Sequence, residues 1–393
     1  MKILHISPSY KPAYIYGGPT MSISKLCEAL VKENIQIQLL TTNANGEGQL
    51  QIETNRPIIV DGVTVSYYKR LLNDPFHYSP ALLKQLIHLI KNDEPQLLHI
   101  HSWWNITAIC TCLIGILYKV PVVVSPKGML TEYSFTNRSR FHKLLFHKVF
   151  GKYLLHKSHL HASTIKEQED LRLFSRPLSI TIIPNLIRLP NEDINAFGYK
   201  DRNTINISDD KDPSLKLIFM SRIEEKKGME ILMKALSMLR FNWSLSIAGS
   251  GDLKYIGRLK ALSKDAGIDH LINWAGQIND EDKFQLLSNH DLLVLPSHNE
   301  SFGNIVIESL AVGTAVLVSE NVGLSVYVKS NRMGWISKLT ENDFKNSLNT
   351  IWQEKWKLKE IKIRAPSIVL EDFNDQLLVK KYIQLYKNVL NIE

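Results

Sequence analysis

Cysteine is scarce in this sequence: Cys27, Cys110 and Cys112 are all that 393 residues contain. They lie in apolar surroundings without zinc-ligand spacing, so they read as small core side chains and imply neither a disulfide framework nor a thiolate metal site. No run of 18 or more apolar residues occurs, which leaves no candidate membrane-spanning helix. The opening MKILHISPSY enters a strand pattern with none of the design of a signal peptide, and a cytoplasmic protein is expected. Acidic residues are missing from one long stretch, Ser134 to Ala162. There Arg138, Arg140, Lys143, Lys148, Lys152 and Lys157 alternate with five histidines and with Phe141, Leu144, Leu145, Phe146, Val149, Phe150, Leu154 and Leu155. Basic and apolar residues at helical spacing suggest a helix lying on an anionic surface, here the inner face of a membrane. The plainer alternative is a solvated helix whose apolar side packs on its own domain. The net charge of +8 fits a nucleic acid, a membrane surface or a phosphorylated ligand. No nucleic-acid module is recognisable, so no nucleic-acid partner is expected.

What is present is a regular alternation. The chain exceeds what one hydrophobic core usually supports, so two domains are expected. KILHIS, IQIQLLTT, VTVSYY, QLLHIH and VPVVVS read as strands separated by helices, among them Pro19 to Lys32 and Ala81 to Lys91, which implies a parallel sheet of crossover units. Residues 200–214 turn polar, and 196–214 reads as a linker. A second series follows: LKLIFMS, WSLSIAG, INWAG, DLLVLP and TAVLVS, each followed by a helix. The expected fold class is α/β, with two Rossmann-like doubly wound domains facing a cleft. The divisions are 1–195, 215–370 and a final helix in 371–393 that packs back across the first domain.

The stretch HNESFGNIVIE (298–308) poses the chemical question. Glu308 is the one charged residue between Ser301 and Ser319, and a carboxylate in an apolar segment needs a partner or ligand. A helix starting near Phe302 or Gly303 after the strand DLLVLP offers backbone N–H groups and a positive dipole end to a diphosphate. Glu308 would then hold a ribose and Glu300 a second sugar; a capping acid with one paired core glutamate is the plain alternative. Arg222 and Lys227 leave the end of a second strand, and their charge matches a diphosphate leaving group. Gly17-Gly18-Pro19 follows the first strand as another helix start suited to anions.

Together SRIEEKKG (221–228), AGSGD (248–252), LLVLPSHNESFGNIVIE (292–308) and the early GGP (17–19) resemble family 4 of the retaining glycosyltransferases, the group 1 glycosyl transferases of GT-B fold. The resemblance implies that Arg222 and Lys227 contact the donor diphosphate, Glu308 the ribose, and Glu300 with the backbone of Phe302, Gly303, Asn304 and Ile305 the transferred sugar. It places Gly17 and Gly18 by the phosphates. Where many relatives carry a histidine after the fifth strand, VVVSPKGML has Lys127, read as its substitute, so Glu300, Lys127, Arg222 and Lys227 form the catalytic set. Two further departures are Ser301, where glycine is commoner, and Leu186 in IPNLI, again in place of glycine.

Other candidates carry less. Asp280-Glu281-Asp282 imitates an acidic metal triplet but precedes a helix, where acids favour the first turn. His99 and His101 share a strand face with no third ligand apparent, which reads as the lining of a cleft. His101, Trp103 and Trp104 are candidate acceptor contacts, with packing as the alternative for the tryptophans. The expectation is a metal-independent, peripheral membrane glycosyltransferase without a cofactor. Its partners would be a nucleoside diphosphate sugar and a lipid-linked or polysaccharide acceptor of surface-glycan or lipopolysaccharide biosynthesis. A nucleotide-sugar epimerase and a silent sugar-binding scaffold are the rivals.

Overall fold

The structure, a computed structural model, describes residues 1–72, 76–136, 140–190 and 214–392. All but the last residue of the expected linker 196–214 lies outside these, as does Arg138. The chain forms two compact units, Met1–Ile187 joined by Phe373–Glu393, and Arg188–Asp372.

The first unit is built on β1 (Lys2–Ser7), β2 (Gln36–Thr42), the short pair β3 (Ala44–Asn45) and β4 (Gly48–Gln49), β5 (Pro57–Val60), β6 (Val63–Tyr68), β7 (Leu97–His101), β8 (Val122–Ser125), β9 (His159–Ala162) and β10 (Ser179–Ile182). Its main sheet runs β10-β9-β8-β7-β1-β2-β6-β5, parallel except for β5, which returns antiparallel to β6. Strands such as VVVS are buried along their whole length, as expected of a parallel sheet covered on both faces. The helices are α1 (Gly18–Lys32), α2 (Pro80–Asn92), α3 (Ile106–Leu117), α4 (Glu132–Thr136), α5 (Arg140–Phe146), α6 (Lys152–His156) and α7 (Ile165–Phe174). Cys27 and Cys112 are buried free thiols.

The second unit has a six-stranded, all-parallel sheet. Its strands are β11 (Leu215–Met220), β12 (Trp243–Ala248), β13 (Ile272–Gly276), β14 (Leu292–Leu295), β15 (Ala315–Ser319) and β16 (Gly334–Ser337). The order is β13-β12-β11-β14-β15-β16. Between and after these strands lie α8 (Met229–Ser237), α9 (Leu253–Asp265), α10 (Asp280–Ser288), α11 (Asn304–Ala311), α12 (Ser325–Ser330), α13 (Glu341–Gln353) and α14 (Trp356–Asp372). The last helix, α15 (Asp375–Leu390), returns to the first unit and packs on α1.

In each sheet the strand order reverses once beside the first strand: between β1 and β7 in one unit, between β11 and β14 in the other. Loops leaving the carboxyl ends of such a strand pair diverge and open a crevice, the usual ligand position of doubly wound sheets.

One expectation is corrected. The segment from Ser134 to Ala162 is not a single helix: α5 passes through one π-helical turn (His147–Gly151) into α6, and His159–Ala162 is a strand. The alternation of HLHA has a period of two, and β9 pairs with β8 and β10 inside the sheet.

Candidate functional site

At the reversal point of the second unit, the loops after β11 and β14 touch backbone to backbone. Gly228 has φ +68°, and a Cβ there would stand 2.1 Å from the Pro296 carbonyl oxygen, so only glycine fits. This contact brings the Lys227 ammonium onto the Glu300 carboxylate, to which it donates a hydrogen bond. Lys227 is buried. Burial works against the charge of Glu300, but Lys227, Lys226 and Arg222 outweigh it and hold the carboxyl below its ordinary range. Glu300 is therefore an ionised acceptor. Burial presses the neighbouring Lys226 ammonium down. Arg222 is half exposed and pairs with Glu224 at 3.2 Å.

The loop carrying Glu300 is fixed on its other side by the segment after β15. Glu300 donates its N–H to the Asn321 carbonyl at 3.2 Å, and its own carbonyl accepts from Gly323 at 2.7 Å. Helix α11 then starts at Asn304 behind Gly303, a left-handed cap (φ +96°) with no side chain of its own. Phe302 is buried, and Asn304 and Ile305 open the helix. Glu308 lies in the second turn of the apolar helix α11, and it accepts from Lys283 of α10 at 2.9 Å. The lone carboxylate thus has a protein partner that the sequence reading did not identify. Asp280, Glu281 and Asp282 open α10.

In the first unit Gly17 (φ +66°) caps α1, and Pro19 stands second in the helix, one place later than expected. Lys127 follows β8 in a tight turn in which both it (φ +53°) and Gly128 (φ +75°) are left-handed. Its ammonium donates to Asn185 Oδ1 at 2.6 Å, and burial lowers its pKa to about 8. The turn is tied down by Glu167, which accepts from the Gly128 N–H at 2.7 Å and from the Ser163 N–H and hydroxyl at 2.7 and 2.6 Å. Neither Asn185 nor Glu167 was singled out by sequence, because their spacing from Lys127 carries no periodic signal. Ser301 and Leu186 sit at positions without a left-handed backbone, so glycine is not required at either.

The reading of His99 and His101 as cleft lining is corrected, and so is the absence of a third imidazole. Both are wholly buried, and His5 of β1 lies with them, the three offering nitrogens within 4.8 Å of one another. A chain of hydrogen bonds runs on from there, and one carbonyl sets its direction. His161 Nε2 lies 2.7 Å from the Ile183 carbonyl, which can only accept, so Nε2 carries the hydrogen. Ser125 must then donate to His161 Nδ1 (2.7 Å) and accept from His99 Nε2 (2.7 Å). His99 Nδ1 in turn accepts from Tyr386 of α15 (2.8 Å). His5 Nδ1 and His101 Nε2 pair at 2.9 Å. With both nitrogens of His99 engaged, the trio as it stands is a hydrogen-bonded group. Burial lowers the pKa of His5 and of His161 to about 3 and puts His99 and His101 well below their ordinary value.

His101 and Trp103 therefore offer no face to an acceptor: both are 0% exposed, in the core of their own unit. Half-buried Trp104 donates its indole N–H to Met129 and Ser134 and sets its ring against Phe135 at 5.2 Å. The expected basic face is described only in part, at Lys143, Lys148, Lys152 and Lys157. Lys143 donates to the Ser134 carbonyl at 2.9 Å, whereas Lys148, Lys152 and Lys157 are exposed. Among the described residues no helix is long and apolar enough to cross a membrane.

Comparison with known proteins agrees with both halves. Residues 16–189 match the Glycosyltransferase Family 4 domain and residues 201–367 match Glycosyl transferases group 1. An uncharacterized glycosyltransferase of Methanocaldococcus jannaschii is 24% identical, the match covering 98% of each chain. A D-inositol 3-phosphate glycosyltransferase of Pseudarthrobacter chlorophenolicus is 26% identical over 84% of this chain and 81% of its own. Among solved structures, sucrose-phosphate synthase from Thermosynechococcus elongatus is similar with a TM-score of 0.76 at 16% identity, covering 100% of both chains. Anabaena HepE in complex with UDP-glucose has a TM-score of 0.72 at 17% identity, covering 99% of this chain and 100% of that one. WaaG, a glycosyltransferase involved in lipopolysaccharide biosynthesis, has a TM-score of 0.68 at 13% identity, covering 98% and 99%.

Proposed function

We propose that this glycosyltransferase, a GT-B chain of one family 4 and one group 1 domain, moves a sugar from a nucleoside diphosphate donor to a lipid-linked or polysaccharide acceptor with retention at the anomeric carbon. The observation that carries this reading is the group at the reversal point of the second unit: Lys227, Lys226 and Arg222 beside an ionised Glu300, one helix start away from Glu308. Three cations match the charge of a diphosphate. Ionised Glu300 accepts hydrogen bonds from sugar hydroxyls and does not serve as an acid, and Glu308 exchanges Lys283 for ribose hydroxyls when the donor arrives. HepE, solved with UDP and with UDP-glucose, supports a donor of this class.

The sugar C1–O bond to the diphosphate breaks, and the acceptor oxygen bonds to C1 on the same face. The departing phosphate oxygen takes the acceptor proton. Lys227 and Arg222 stabilise the charge that grows on that phosphate. Lys127 assists at the reacting sugar as a fixed cation, and no metal is required. The chain works at the inner face of the membrane, to which the exposed Lys148, Lys152 and Lys157 attach it.

Isothermal titration with UDP, other nucleoside diphosphates and their sugars tests the donor site. Glu308→Gln and Lys227→Ala are each expected to weaken binding about tenfold or more. Unchanged affinity in both folded variants overturns the assignment. Turnover is expected to persist in EDTA; loss of turnover restored by manganese refutes metal independence.

A further inference from the structure

Three neighbouring strand ends of the first unit are laced together around Lys127. β8, β9 and β10 lie side by side and parallel; β8 leads into the Lys127-Gly128 turn, β9 into Ser163 and α7, and β10 into Asn185. Glu167, buried in the first turn of α7, divides its carboxylate between two of these loops. Oε1 accepts from the Gly128 N–H at 2.7 Å, and Oε2 accepts from the N–H and the hydroxyl of Ser163 at 2.7 and 2.6 Å. Thr164 caps the helix and accepts the Glu167 N–H at 3.1 Å, so the side chain starts from a fixed point. The third loop is tied through the lysine itself, whose Nζ donates to Oδ1 of buried Asn185 at 2.6 Å. Lys127 keeps a left-handed backbone (φ +53°), which a residue with a side chain holds only where its surroundings enforce it.

Few charges reach this ammonium. His99 and His101 of β7 and His161 of β9 interact with it, and burial keeps all three neutral above pH 7. Glu167 is the carboxylate that opposes the effect of burial on Lys127. Asp170, one turn further along α7 with Lys166, Glu169 and Glu132 of α4 around it, is pushed up to about 6, chiefly by burial. Tyr382 of α15, near Glu167, is pushed above its ordinary range, again by burial. Neither changes charge between pH 7 and 9.

We propose that Glu167 and Asn185 are the positioning residues of Lys127: Glu167 locks the loops after β8 and β9 together and supplies the negative charge that balances the ammonium, while Asn185 fixes the direction in which the ammonium points. The proposal rests on the reading of Lys127 as a working cation and deepens it. Only a carboxylate performs both parts at 167. In glutamine an NH2 group replaces one oxygen and meets the N–H of Gly128 or of Ser163, donor against donor, and the charge is gone. At 185 the amide oxygen aims the ammonium without neutralising it, which leaves its charge for the reacting sugar and phosphate.

Lys127 can be read without turnover by competitive acetylation. The full-length chain is treated with trace acetic anhydride from pH 6 to 10, and the acetylated fraction at Lys127 is measured by mass spectrometry, since only the neutral amine reacts. The wild-type midpoint is expected near 8. Glu167→Gln is expected to lower it by about one pH unit and Asn185→Asp to raise it by about as much, with the basic limb of kcat moving alongside in each. Glu167→Asp keeps the charge but is a methylene too short to reach both loops, so its midpoint stays near that of wild type while kcat falls several-fold. If Glu167 is merely structural, Glu167→Gln loosens the turn and its midpoint rises toward the ordinary lysine value of about 10.4, which overturns the proposal. An unshifted midpoint in Glu167→Gln or in Asn185→Asp overturns it as well. If the midpoints move as expected and the limb of kcat does not follow, Glu167 and Asn185 still position the amine, and it is the role of Lys127 in turnover that falls.

Discussion

Lys127 shows how much one side chain depends on what holds it. Its neighbours Pro126 and Gly128 mark a turn in the sequence, but the hydrogen bond to Asn185 and the clamp by Glu167 come from residues 40 to 60 places away. A lysine held near pKa 8 is charged at neutral pH and loses its proton just above. If the ammonium is what turnover needs, kcat falls as pH rises through about 8. Lys127→Arg removes that basic limb, because a guanidinium stays charged. Lys127→Ala lowers kcat substantially while nucleoside diphosphate still binds, and Lys127→His recovers part of the loss below its own pKa. A flat profile from pH 7 to 9, or near-normal turnover in Lys127→Ala at saturating substrates, contradicts this role.

Among the elements, most were legible because their periods are strong. Strands such as KILHIS and LKLIFM lie where the alternation puts them, and α11 starts one or two residues after the predicted point, behind a left-handed glycine (φ +96°) at which a side chain is strained. The antiparallel strand β5 was missed although its signal is present: Asp61 (φ +49°) and Gly62 (φ +82°) form a two-residue hairpin turn between Val60 and Val63. β9 was missed because basic and apolar residues around it gave a helical count that overrode the two-residue alternation of HLHA. The candidate site was legible in its charges, Arg222, Lys227, Glu300 and Glu308, each distinctive in residue type and place. Lys283, Asn185 and Glu167 were not, since a partner chosen by tertiary packing leaves no mark in local spacing. The loop contact at Gly228 gives a test at this scale. Gly228→Ala puts a Cβ against the Pro296 carbonyl at a strained φ, at a cost of about 2 kcal/mol or more. Chemical denaturation is expected to show that loss together with weaker donor binding, because the same contact places Lys227 by Glu300. A variant as stable as wild type contradicts the close approach.

For the molecule as a whole, the histidine seam couples α15 to the sheet of the first unit. His5, His99, His101 and His161 are neutral in the folded chain and titrate near 6.5 when unfolded. Their folded pKa values lie below the unfolded ones, so the unfolded state binds more protons in acid. Stability is therefore full above about pH 6.5 and falls toward pH 4, by ~1.4 kcal/mol per pH unit for each histidine that stays neutral. Urea denaturation at pH 7.5, 6 and 5 checks the slope; equal midpoints refute the neutral seam. Tyr386→Phe strips His99 Nδ1 of its donor and is expected to cost about 1–3 kcal/mol. The seam also has a consequence in time. Tyr382 and Tyr386 belong to the first unit but are synthesised after the whole of the second. At translation speeds of ~5–20 residues per second, roughly ten to forty seconds pass between Ile187 and Phe373 leaving the ribosome. Over that interval the second unit emerges, while His99 and His161 wait without their tyrosines. The half of the protein that is begun first is the half that receives its last helix last.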